Sequence, residues 1–209
     1  MEIHDMPKIE CPFIRKKMPD GRYLITSEIK PEYEWVFTDD KVMAIEKLHG
    51  TNVSILIEHG QITQIWNRTT RLPFFNKGKK FIIKGLLNSH ERGYTEFLPD
   101  GQHFGELLGP KVNGNPYRLT EHIWIPFNTY AQKHLRYKSW GKYPKDFDTI
   151  SAWFKEDLIP LYASLAGQDH DRKNGFVEGV VFTHPDGRMA KIRRDMFSWY
   201  VGKNHKESN

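Results

Sequence analysis

One cysteine in 209 residues leaves this chain unable to form an internal disulfide framework or a zinc site built from several thiolates. A reducing compartment, the cytoplasm, is the natural setting. No apolar run approaches the ~20 residues of a membrane-spanning helix, so no membrane is expected as a partner. The opening residues, MEIHDMPKIECPFIRKK, lack the apolar core of about 7–15 residues that a secretory signal carries. Without secretion, the Asn67-Arg68-Thr69 sequon is accidental. Strong charge of one sign is also missing, since 31 Lys and Arg against 26 Asp and Glu leave a net +5. That mild basic excess is compatible with a polyanionic partner but does not require one. Repeats, low-complexity tracts and Pro/Gly/Ser-rich linkers are absent too. One domain over residues 1–209 is therefore favoured, long enough to bury a real core, and a monomer is favoured with it.

What the chain does have is mostly strand pattern. Lys41–Lys47 is a short mixed run. Asn52–Glu58 alternates, with Val53, Ile55 and Ile57 on one face, and His59-Gly60 offers a turn into Gln61–Trp66. Further strands are expected at His103–Leu108, His122–Phe127, Phe176–Thr183 and Arg188–Arg193. Two stretches have helical spacing instead. One is Phe81–His90; the other carries Phe147, Ile150, Phe154, Leu158, Leu161 and Leu165. Pro160 should kink or split the second, and Gly167 should stop it. Strands outnumber helices without strict βαβ alternation, which predicts an α+β domain of antiparallel sheets flanked by helices.

The chemistry-bearing residues lie at both ends of this pattern. In Glu46-Lys47-Leu48-His49-Gly50-Thr51-Asn52, Lys47 is presented from a tight turn between strands, and Gly50 would let backbone approach a ligand phosphate closely. A lysine before a glycine turn is, taken alone, a solvated surface lysine. Far along the chain, Phe176–Phe182 runs through His184-Pro185-Asp186-Gly187 into Arg188–Arg193, so these two runs should form a hairpin. A loop of two or four residues would point Glu178, Lys191 and Arg193 the same way, whereas three or five would not. The bland reading is an ion-pair ladder worth little; the sharper one is a site for an anion and a metal. Glu106 sits alone between apolar residues and glycines in His103-Phe104-Gly105-Glu106-Leu107-Leu108-Gly109. Ile123-Trp124-Ile125-Pro126-Phe127 can supply a ring for base stacking, and Trp66-Asn67-Arg68-Thr69-Thr70-Arg71 follows the first hairpin.

In this order, Lys-x-x-Gly-Thr-Asn, an Arg-bearing strand, Phe-Gly-Glu-Leu-x-Gly, Glu-Gly-Val-Val and Ala-Lys-Ile-Arg resemble the nucleotidyltransferase motifs of the covalent nucleotidyltransferase superfamily. That superfamily holds DNA ligases, RNA ligases and mRNA capping enzymes. The resemblance covers roughly residues 34–200. His49 stands where DNA ligases and capping enzymes carry aspartate, and Glu-Lys-Leu-His-Gly-Thr-Asn is similar to the phage nick-sealing RNA ligase branch. The resemblance implies an ATP-grasp-like ligase adenylation domain. It also implies an ATP-dependent RNA ligase that joins 5′-phosphate and 3′-hydroxyl RNA ends through a lysyl-AMP intermediate and an adenylylated 5′ end.

Carried onto this chain, the scheme makes Lys47 the nucleophile that takes AMP from ATP. A lysine of ordinary pKa ~10.4 is neutral only about once in several thousand at pH 7, so attack needs a depressed pKa. Lys191 and Arg193 would depress it and neutralise charge building on the α-phosphate. By resemblance Glu178 would hold Mg²⁺ or Mn²⁺, and Glu106 would contact the AMP ribose or a metal-bound water. Phe127 would stack on adenine, with Trp124 as the competing ring of opposite strand parity. Arg68, ahead of Arg71, would contact nucleotide or RNA phosphate, and Glu46 and Thr51 would line the pocket. RNA would also meet two basic clusters: Lys77, Lys79, Lys80 and Lys84, and then Lys133, Arg136, Lys138, Lys142 and Lys145 interleaved with Tyr137, Trp140 and Tyr143.

Arg193 is followed by 16 residues, so no C-terminal oligonucleotide-binding or RNA-ligase accessory domain is expected within this sequence. The alternatives are a DNA ligase or a guanylyltransferase of the same superfamily, against which His49 counts, and an RNA-binding relic without turnover. The intact Lys47, Glu106, Glu178 and Lys191 count against the relic.

Overall fold

A computed structural model of the chain describes residues 2–74, 77–166 and 175–202. In chain order its elements are β1 (Phe13–Lys17), β2 (Tyr23–Ile29), α1 (Trp35–Thr38), β3 (Met43–Lys47), β4 (Thr51–Glu58), β5 (Gln61–Asn67), β6 (Thr70–Leu72), α2 (Lys80–Glu91), β7 (Gly101–Leu108), β8 (Ile123–Pro126), α3 (Gln132–His134), α4 (Phe147–Ala152), α5 (Leu161–Leu165), β9 (Gly179–Thr183) and β10 (Met189–Arg193). These are α+β elements, and the strand pairings among the described residues are antiparallel, as the pattern predicts. The chain divides into two compact units, one of Met1–Lys8 with Leu48–Leu135, the other of Ile9–Lys47 with Arg136–Asn209.

The unit containing Leu48–Leu135 is built on a five-stranded sheet of order β6-β5-β4-β7-β8. Strand alternation sends Val53, Ile55, Ile57, Ile65, Leu107 and Trp124 to one face, where α2 covers them with Ile82 and Leu86 in a single buried cluster. His59 and Gly60 join β4 to β5 with φ of 54° and 72°, the twist a two-residue hairpin requires. The opposite face carries Asn52, Ser54, Trp66, Phe104, Glu106 and Ile125 in register.

The other unit holds the β1–β2 hairpin and a three-stranded sheet of order β10-β9-β3. Its even-numbered residues Ala44, Val180, Phe182, Ala190 and Ile192 pack into a core with Phe13, Val36, Phe154 and Phe197. The odd-numbered face is therefore left for chemistry.

Three expected boundaries shift. The strand at 122–127 ends at Pro126, and Phe127 begins a π-helical turn through Ala131. The strand at 176–183 starts only at Gly179. The long helical stretch divides into α4, a π turn at Trp153–Asp157, an extended link through Leu158 and Pro160, and α5. Pro160 causes that split, because it offers no N–H and disfavours helical geometry at Ile159. Gly167 lies outside the described residues.

Candidate active site

Lys47 is the last residue of β3, and it pairs across the sheet with Gly179, which pairs in turn with Arg193. One row therefore reads Lys47, Gly179, Arg193, with no side chain between the two cations. A Cβ on Gly179 would fall 2.2 Å from the Ile192 carbonyl oxygen, so only glycine lets these strands approach. Lys191 shares the same face one row along, opposite Val181, which pairs with Ile45.

The parity expected for Glu178 needs correcting. Thr183 pairs with Met189, so residues 184–188 form a five-residue loop, and the ladder's alternation would turn residue 178 toward the core with Val180 and Phe182. Glu178 nevertheless reaches the Lys47 side because the regular strand begins one residue later. Its Oε2 accepts a hydrogen bond from Lys47 Nζ at 2.8 Å, with side-chain exposures of 20% for Lys47 and 14% for Glu178. Lys191 is half-buried, and its pKa is lowered, first by burial and then by the charges of Lys47 and Arg193, with Glu178 opposing. The Asp195 carboxylate lies 3.1 Å from Arg193 Nε at the strand end, an exposed ion pair of little strength.

Glu46 is not beside Lys47 in the way expected. Alternation along β3 turns it to the opposite, buried face, where it is 2% exposed and its Oε2 accepts the Tyr162 N–H at the start of α5 at 2.8 Å. Burial pushes its carboxyl up to about 8, against the pull of the Tyr162 and Leu161 N–H groups. Lining a nucleotide pocket is incompatible with that placement. Glu46 instead anchors α5 beneath the strand that carries Lys47.

Past Lys47 the chain enters the unit that contains Leu48, and side chains there hold the turn by its backbone. The His49 N–H donates to the Tyr117 hydroxyl at 2.8 Å, the Gly50 N–H to Glu106 Oε1 at 2.9 Å, and Asn113 Nδ2 donates to the Gly50 carbonyl. Gly50 is required, though for a different reason from the one expected. A Cβ there would sit 2.2 Å from the Leu107 carbonyl oxygen, so the close approach is to β7 of the protein itself. Glu106 pairs with Asn52 across β4–β7 and shares that face.

Trp124 is fully buried, with Nε1 donating to the Val53 carbonyl, which removes it as a stacking ring. Phe127 is half-buried at the first position of the π turn. Arg68 occupies the β5–β6 turn in left-handed geometry (φ 54°), and its guanidinium lies 3.3 Å from Asp5. Arg71 pairs with Trp66 and so shares the sheet face of Asn52 and Glu106. The aromatic residues expected among the second basic cluster are largely core. Tyr137 is buried with its hydroxyl on the Ile159 carbonyl, and Trp140 packs against Trp153 and Phe182. Lys145 lies over the Trp140 ring at 5.4 Å, while Tyr143 stays 54% exposed. Lys80 and Lys84 are exposed along α2 and Lys79 is half-buried; the Lys77 side chain lies outside the described ones.

A divalent cation fits this donor set in one respect. No group of three or more His, Cys, Asp or Glu is placed to cage a metal among the described residues, and Mg²⁺ or Mn²⁺ bound to a nucleotide needs only one or two carboxylates with its waters and phosphates. Glu178, beside Lys47, is the carboxylate that could hold such an ion.

The family model described as RNA ligase matches residues 40–198, from β3 through the end of β10. The chain belongs to the RNA ligase family. Two solved variants of the Naegleria gruberi RNA ligase are similar in fold. One, with ATP and Mn, gives a TM-score of 0.53 at 16% identity, covering 88% of this chain and 59% of that one. Another, with AMP and Mn, gives 0.54 at 16% identity, covering 90% and 61%. This chain therefore spans about three-fifths of those relatives' length. No curated protein matches the sequence. Tyr117 and Asn113 lie outside the motifs, and their contacts to the lysine turn are long-range, so no local pattern marks them. Asn113-Gly114-Asn115 has turn composition, which carries no information on what the loop touches.

Proposed function

We propose that this chain is an ATP-dependent RNA ligase that joins 5′-phosphate and 3′-hydroxyl RNA ends through a lysyl-AMP intermediate. The observation that carries the reading is the Lys47–Glu178 contact at 2.8 Å on a sheet face shared with Lys191 and Arg193. Lys47 is the nucleophile: its ammonium first gives up a proton to solvent, the neutral Nζ then forms a bond to the α-phosphorus of ATP, and the bond to pyrophosphate breaks. Lys191 and Arg193 hold the α-phosphate and offset the charge that builds on it. Glu178 holds the ammonium of Lys47 in place and is the carboxylate for Mg²⁺ or Mn²⁺, which supplies positive charge to the phosphates when bound. Glu106 fixes the turn after the nucleophile by way of Gly50 and faces the nucleotide ribose; Phe127 is the adenine-stacking ring, and Arg68 or Arg71 takes a phosphate. Both units belong to one adenylylation domain on this reading, since the family match runs through both. The lone cysteine, Cys11, is buried, which suits a cytoplasmic enzyme, and no helix among the described residues is long and apolar enough to cross a membrane.

Incubation with radiolabelled ATP or GTP and magnesium, followed by denaturing electrophoresis, tests this. Label from ATP that survives denaturation and disappears in Lys47→Ala supports the ligase. Label from GTP alone would mean a guanylyltransferase, and none from either a nucleic-acid-binding protein without turnover. Sealing of matched RNA and DNA nicks then separates an RNA from a DNA ligase.

A further inference from the structure

Among the described residues, Tyr94, Tyr130 and His134 form a column of three rings on the unit that contains Leu48–Leu135. The Tyr94 and Tyr130 centroids are 4.0 Å apart at 36°, and those of Tyr130 and His134 are 4.5 Å apart at 32°. Tyr94 comes from the loop after α2, set by Gly93 at φ 74° and by its own N–H on the Ser89 carbonyl at 2.9 Å. Tyr130 and His134 stand four positions apart, the first in the π turn and the second in α3. His134 ends the column and is exposed, while Tyr94 and Tyr130 are half-buried. Lys133, beside His134 in sequence, is exposed as well. The π turn begins at Phe127, and such turns concentrate at functional sites because they re-aim the side chains that follow.

Rings packed for shape alone go inside, as Tyr137 and Trp124 do in this protein. A column that ends in an exposed imidazole next to an exposed lysine has the two chemistries of single-stranded nucleic-acid binding: a π-face for a base and a cation for its phosphate.

We propose that this column is a base-stacking platform for the RNA strand, with one unpaired nucleobase continuing the stack on His134 and Lys133 on the adjoining phosphate. It rests on the RNA-ligase reading and adds to it where RNA is gripped outside the nucleotide pocket. The bland alternative is that the rings only clamp the 92–98 loop against the π turn.

The test uses the full chain and a fluorescent single-stranded RNA with a 5′-phosphate, following anisotropy across a salt series, with ATP labelling of the protein measured in parallel. His134→Ala should weaken RNA binding about tenfold, the low end of what one stacked base contributes. It should leave the slope of log affinity against log salt unchanged, because no phosphate contact is lost. His134→Phe should restore binding, and ATP labelling should match the unmodified protein in both. An RNA lacking the stacked base should bind the unmodified protein as weakly as the His134→Ala variant binds intact RNA. Unchanged affinity in His134→Ala, or a shallower salt slope, overturns the platform while labelling continues to support the ligase. Absence of labelling in the unmodified chain is the separate failure of the ligase reading, and absence of RNA binding by it overturns the platform too.

Discussion

Lys47 Nζ and Glu178 Oε2 meet at 2.8 Å even though regular strand parity would turn residue 178 toward the core. The pair is mostly shielded from water, so each charge depends on the other. Glu178→Gln keeps the shape and an acceptor but removes the negative charge. It should lower the rate of AMP attachment at least about 100-fold, the size of effect seen when one aligned electrostatic group is lost. Single-turnover labelling at saturating ATP and metal measures it. A loss that higher metal concentration fully repairs would place Glu178 in metal affinity alone.

Lys191 carries its charge in a half-buried setting beside Lys47 and Arg193, which holds its pKa below the ordinary 10.5. Between the folded and unfolded pKa values the unfolded chain binds a proton that the folded one has released. Stability from this group therefore rises with pH through that alkaline window, and below it the full cost of the buried charge is present. Lys191→Met should abolish labelling yet unfold at an equal or higher denaturant midpoint at pH 7, with the gap closing toward pH ~10.5. A clear loss of stability at pH 7 would mean the ammonium holds the sheet together rather than serving chemistry.

How much of this was legible follows from the range of each signal. Alternation at Val53, Ile55 and Ile57 is local and marks β4, and Pro160 marks the split between α4 and α5 through its own missing N–H. Period two also places Glu46 opposite Lys47, a consequence available in the sequence that the motif's appearance obscured. The burial of Tyr137 and the packing of Trp140 against the core were not legible, because aromatic residues among lysines read alike whether the rings face core or solvent. Loop length sets the ladder's parity, which Pro-Asp-Gly does not count, and Glu178 departs from that parity because the strand begins only at Gly179. Tyr117 and the turn it holds are 68 positions apart, beyond any local pattern.

Glu46 gives a stability signature distinct from catalysis. Its folded pKa of about 8 lies above the ordinary 4.5, so the folded protein keeps a proton that the unfolded chain loses. Its contribution is complete below 4.5 and is lost as pH rises to about 8. Glu46→Gln still accepts from Tyr162 but cannot ionise. Relative to this variant, the unmodified protein should lose urea resistance between pH 5 and pH 8.5. Parallel unfolding curves for the two across that range would mean that Glu46 is ionised in the fold.

The Tyr117 hydroxyl accepts the His49 N–H at 2.8 Å, two residues after Lys47. Tyr117 is itself buried, so Tyr117→Phe leaves an amide without its partner in a place with little water, at a cost of about 1–3 kcal/mol. Part of that cost should appear as a displaced turn, because the neighbouring Gly50 is wedged against the Leu107 carbonyl and has no room to adjust. Tyr117→Phe should therefore slow ATP labelling by about tenfold, with the apparent KM for ATP little changed, since the hydroxyl acts on the backbone of the turn. Gly50→Ala should be far worse, lowering stability by more than ~2 kcal/mol through direct overlap with β7. If Tyr117→Phe instead raised KM and left the labelling rate intact, the tyrosine would belong to ATP binding and not to the placement of Lys47.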